Sequence, residues 1–144
     1  MNELTERLLR AIGVLMLRVG AGVFMMTHGW SKLEGILNGN WEFADPLGLG
    51  SSLSLVAAVG AEFFCAGLVV LGLFTRAAAA PVVFTMLVAG FVVHADDGWA
   101  RQEFALLFAL VFFVIMFTGG GRFSLDSLMW PALKRRRAKV KAAR

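Results

Sequence analysis

The chain has 144 residues, 58% of them hydrophobic and 17% charged, with a net charge of +4. That balance reverses the one found in soluble domains, and the length leaves room for one compact bundle and no separate soluble domain. A single cysteine, Cys65, excludes an intrachain disulfide and any cysteine-based metal or redox cluster.

The basic charge does not read as nucleic-acid binding. Seven of the fourteen basic residues lie in the tail Lys134–Arg144, which directly follows a membrane segment and contains no aromatic residue. Such a tail meets anionic lipid headgroups and sets topology.

The first span is expected from about Ala11 to Leu33, with Arg18 inside it and His28 and Lys32 near its far end. Arg18 interrupts what would be the apolar core of a signal peptide, so the segment reads as a retained helix. A long connection, Glu34–Ser52, follows; a short interfacial helix is expected around Trp41–Ala44, with Trp41 as a surface anchor. Between Leu53 and Val93, forty-one residues carry only Glu62, Cys65 and Arg76 as ionisable groups. One straight helix of that length would run about 62 Å, roughly twice the hydrocarbon core. The segment must fold back, and Thr75-Arg76 is its polar turning point. The second span is then about Leu53–Phe74, capped by Ser51-Ser52, and the third about Ala77–Val93, with Pro81 near its first turn. The fourth, about Glu103–Thr118, is short and ends at Gly119-Gly120-Gly121.

The expected fold is all-α: a four-helix transmembrane bundle over residues 1–133 with a basic tail over 134–144. Arg7, Arg10, Arg76, Arg122 and the seven tail residues fall on one side, eleven in all, against Lys32 and Arg101 on the other. Both termini are therefore expected in the cytoplasm, with the chain in the plasma or inner membrane. Trp30, Trp41, Trp99 and Trp130 fall where an interfacial aromatic belt would be. Small residues within the spans, among them Gly20, Gly22, Gly60 and Gly67, allow close helix packing, and a homo-oligomer is a further option.

A charge at membrane depth needs a partner, a proton or a job. Counting depth from the span ends makes Arg18 and Glu62 expected partners in a buried ion pair. His28 and Lys32 share a helix face, and His94 and Glu103 reach similar depth from other helices. His28, Lys32, Glu62, His94 and Glu103 are thus the candidate quinone or proton site, without a metal because no tight ligand spacing is present. Arg122 and Asp126, four residues apart, are expected to form a cytoplasmic clasp, with Arg122 reaching toward Arg76 and favouring an acidic lipid there.

These residues carry a family pattern. Arg18, Gly22, Phe24, His28-Gly29 and Lys32-Leu33 in the first span, with Glu62, Gly67, Leu71-Gly72-Leu73 and Thr75-Arg76 in the second, resemble the DoxX family of small four-helix membrane proteins. Glu103, Ala105-Leu106-Leu107 and the run GGGRFSLD from Gly119 to Asp126 extend the resemblance to about Leu17–Asp126. Gly120 stands where the family usually has proline. The resemblance implies a membrane subunit linked to a redox system, either quinone-linked sulfur oxidation or oxidative-stress defence. Such a subunit has no redox centre of its own, contacts quinone and works with a redox-enzyme partner. The competing readings are a structural anchor or assembly factor, and a small oligomeric transporter or proton conductor using Arg18, Glu62 and His28.

Overall fold

The computed structural model describes residues 2–129; Trp130 and the basic tail lie outside them. Among the described residues there is no strand, and four helices are long and apolar enough to cross a membrane. They are α1 (Glu3–Leu37), α2 (Ser51–Leu71), α3 (Thr75–Val93) and α4 (Trp99–Thr118). Each packs on its neighbour in sequence, and α4 closes the ring against α1.

The interior is apolar and small-featured. Met25, Val69, Ala79, Val82, Phe112 and Ile115 are fully buried. Phe24, Phe84, Leu107, Leu110 and Phe117 point outward and stay exposed, as side chains facing lipid rather than water would. On α1 the buried positions Ala11, Arg18, Gly22, Met25 and Gly29 fall at three-, four- and seven-residue intervals, one stripe of a helix. At Gly22 and Gly29 the backbones of α1 and α2 meet closely. A methyl on Gly29 would stand 2.6 Å from the Phe63 nitrogen, and one on Gly22 would stand 2.5 Å from a Val70 methyl. Glycine is what allows this spacing.

The helix ends differ from hydropathy in identifiable ways. α1 begins at Glu3 rather than Ala11, because Glu3–Arg7 and Glu6–Arg10 form i,i+4 pairs and the acids suit a helix N-terminus. α4 begins at Trp99 rather than Glu103, its start set by Gly98 at φ +87° and supported by an Asp97–Arg101 pair. Its twenty residues span about 30 Å, so no local thinning of the bilayer is required. Residues 41–44 are not helical. Ser51-Ser52 do not cap α2 either; Gly50 holds that position. The preceding loop is instead tied to the helix by Asp45, whose carboxylate accepts from the Leu49 and Gly50 nitrogens and from Ser54 Oγ, each at 2.8 Å. The Gly50 and Ser54 donors lead in holding that carboxyl below its ordinary value.

Two π-type turns interrupt the spans: Gly60–Cys65 within α2 and Ala89–Val93 at the end of α3. The first contains Glu62. Such widened turns recur at functional positions in helices.

Candidate functional site

Arg18 does not pair with Glu62. Its guanidinium, 2% exposed, donates from Nη1 to the carbonyls of Val69 and Val70, both at 2.8 Å, and from Nη2 to that of Phe123 at 2.7 Å. The cation thus sits on carbonyls at the C-terminal end of α2, where the helix dipole also favours it. Gly72, at φ +71°, ends α2 with bonds from Leu73 N to Leu68 O and from Gly72 N to Val69 O. A side chain there would collide with Arg18 and Ser124. The expected pair fails on depth. Gly29 marks the level of Glu62 on α1, eleven residues beyond Arg18, or about 16 Å along the axis. No arginine side chain spans that.

Glu62 pairs with Lys32, which lies within one turn of Gly29 and so falls within reach. The Glu62 side chain is 4% exposed and that of Lys32 24%. The folded loop between α1 and α2 covers the pair: the Phe43 ring lies 6.0 Å from Lys32 Nζ. Phe43 is fixed by its nitrogen donating to Ser51 Oγ at 2.8 Å, while that hydroxyl donates to Trp41 O at 2.9 Å.

His28 is one turn from Lys32 but faces α4, where Phe104 and Phe108 meet its ring edge-on at 5.5 and 6.0 Å. Phe108 is shared with an apolar groove of about 290 Å3 between α1 and α4, whose floor includes Gly20 and Ala21 and whose sides include Met16, Phe24 and Leu107. Glu103 is exposed and makes no side-chain hydrogen bond among the described residues, although its neighbour Phe104 touches His28. His94 is engaged elsewhere. Its Nδ1 bonds Asp97 Oδ2 at 2.7 Å in the α3–α4 connection, and Arg101 reaches the same oxygen at 3.1 Å. Those two partners, His94 first, hold the Asp97 carboxyl below its ordinary value. The structure therefore pairs Lys32 with Glu62, turns His28 toward α4, leaves Glu103 exposed and engages His94 with Asp97. Among the described residues no three His, Cys, Asp or Glu side chains could jointly hold a metal ion.

The expected Arg122–Asp126 clasp is replaced by a longer-range one. Asp126 Oδ1 accepts from Phe74 N at 2.7 Å, and Oδ2 from Thr75 N and Thr75 Oγ1 at 2.9 and 2.8 Å. A carboxylate from beyond α4 thus caps α3, whose own preceding residue, Phe74, offers no side-chain cap and sits at φ +48°. Burial pushes the Asp126 carboxyl up, but the Thr75 and Phe74 donors and the nearby Arg18 outweigh it and hold it below its ordinary value. Arg76 donates from Nη2 to Phe117 O at 3.2 Å rather than joining Asp126. Sequence reasoning missed Thr75 as the capping partner and the Phe104–Phe108 cradle of His28. The one available hint was a threonine at the start of a span whose preceding residue could not cap it.

A ring of four apolar helices with a buried arginine on a helix end and a covered Lys–Glu pair defines a small multi-span membrane protein. The sequence matches the DoxX family model over residues 13–95. It is also 31% identical, over 85% of this chain and 91% of the relative, to the Bacillus subtilis (strain 168) protein named "Putative oxidoreductase CatD". The chain belongs to the DoxX family. No solved structure matches it.

Proposed function

We propose that this DoxX protein is a plasma- or inner-membrane subunit of a quinone-linked redox system, with both termini cytoplasmic. In this reading it binds quinone between α1 and α4 and leaves electron delivery to a partner. The observation that carries this reading is the packing of the His28 ring against Phe104 and Phe108, the second of which also lines the α1–α4 groove. The groove is apolar and flanked by the exposed Phe24 and Leu107, which suits an isoprenoid tail, and a nearby imidazole suits a ring carbonyl. When bound, quinone supplies a carrier of two electrons and two protons. The chain's own residues then do three things. His28 hydrogen-bonds the ring oxygen and can exchange a proton there. The Phe104 and Phe108 rings orient the imidazole by edge-on contact. The Lys32–Glu62 pair, one turn further along α1, holds exchangeable protons beneath the Phe43 cover. The name of the Bacillus relative points the same way, toward an oxidoreductase.

The test is the quinone content of protein purified from native membranes. The unaltered chain should retain quinone, and His28→Ala should retain about tenfold less with an unchanged melting temperature, since one hydrogen bond and its ring contacts are lost. Equal retention by both forms, or no quinone in either, would leave a structural anchor as the better reading.

A further inference from the structure

At the opposite, basic end of the bundle, a cavity of about 570 Å3 lies between the start of α3 and the turn after α4. Its walls include Thr75, Arg76, Gly119, Gly120, Gly121 and Asp126. Arg76 is exposed and spends one N–H on Phe117 O, with its other donors unpartnered among the described residues. The Gly120 and Gly121 nitrogens likewise have no acceptor among the described residues. A guanidinium and two free backbone N–H groups around one space make a donor set for an anion. Asp126 in the same wall keeps its negative charge, but both of its oxygens are turned to Phe74 and Thr75 and the nearby Arg18 guanidinium offsets it.

The glycines let the turn pack closely against Thr75, Arg76 and Ser124. A methyl on Gly120 would lie 2.7 Å from Ser124 Oγ and 2.8 Å from Thr75 Oγ1. One on Gly119, which sits at φ +72°, would lie 3.1 Å from Arg76 Nε. The surroundings select among anions. Phe74 and Phe117, 55% and 64% exposed, lie beside the cavity where acyl chains would pass. Arg122 directly follows the glycine turn, and the sequence continues into the basic run Lys134–Arg144. We infer that this cavity binds the phosphodiester headgroup of an anionic phospholipid, with Arg76 and the Gly119–Gly121 turn as its phosphate contacts.

Native mass spectrometry of the full chain in detergent tests this directly, with phosphatidylglycerol, phosphatidylcholine and inorganic phosphate as probes. The unaltered protein should retain phosphatidylglycerol over phosphatidylcholine. Arg76→Gln should weaken phosphatidylglycerol retention about fivefold, whereas Arg10→Gln, a change at the exposed start of α1, should not. Equal retention of both lipids by the unaltered protein overturns the proposal whether or not the variant folds. So does an Arg76→Gln protein that holds phosphatidylglycerol like the parent. Displacement of the lipid by millimolar inorganic phosphate would overturn the lipid assignment.

Discussion

Lys32 and Glu62 sit where a lone charge is expensive, so removing one partner should cost more than removing both. Lys32→Met or Glu62→Gln alone should each destabilise by about 3–5 kcal/mol, while the double variant should lose clearly less than their sum. A detergent-melting cycle measures the coupling. The same cycle between Arg18 and Glu62 should be additive, since their levels on α1 differ by about 16 Å. Coupling there and additivity at Lys32 would reverse the assignment. Asp126 acts through a different route. Its carboxyl is held below its ordinary value, so the fold gains stability that is fully present above the unfolded pKa near 4 and is lost as pH falls through the lower folded value. Asp126→Asn swaps an acceptor for a donor facing Thr75 or Phe74 and should cost about 1–3 kcal/mol at neutral pH. It should also flatten part of the acid limb of the melting-temperature profile. An unchanged acid limb would show that the cap contributes nothing to it.

At the scale of helices, the α1–α2 contact rests on two glycines and not on the others. Gly29→Ala would drive a methyl into the backbone at Glu62 and Phe63, and should destabilise by about 1–3 kcal/mol. Gly20 has nothing within 4 Å of an added methyl, so Gly20→Ala should be neutral or gain about 0.5–1 kcal/mol from helix propensity. Similar melting temperatures for the two variants would contradict the packing. The spans themselves were legible in the sequence because hydropathy reports helices that must bury every backbone polar group in lipid. The ends of α1 and α4 were not, because Glu3–Arg10 and Trp99–Gln102 are polar yet helical. Pairing suffered most. Counting residues from an assumed end put Arg18 opposite Glu62, whereas the contact at Gly29 fixes the register and gives Glu62 to Lys32. The Asp126 cap bridges 51 to 52 residues, and nothing local in the sequence reports such a bond.

For the whole molecule, the division of lysine and arginine predicts the orientation. Reporter fusions after Gly39 should read external and fusions after Ala132 should read cytoplasmic; a cytoplasmic signal at Gly39 would overturn the proposed topology. The two ends then have different work. One half carries His28, the Lys32–Glu62 pair and the loop over them, and the other carries Arg18, the Asp126 cap and the Arg76 cavity. Membership in the DoxX family was readable from the same residues, but not which of them meet. The most direct measurement of the central claim is photolabelling of the full chain in native membranes with an azido-quinone, followed by mapping of the modified peptides. The account predicts label on α1 and α4 at the groove, within Phe24–His28 and Phe104–Phe108, lost when unlabelled quinone is added. Label confined to other helices, or unaffected by competing quinone, would contradict it.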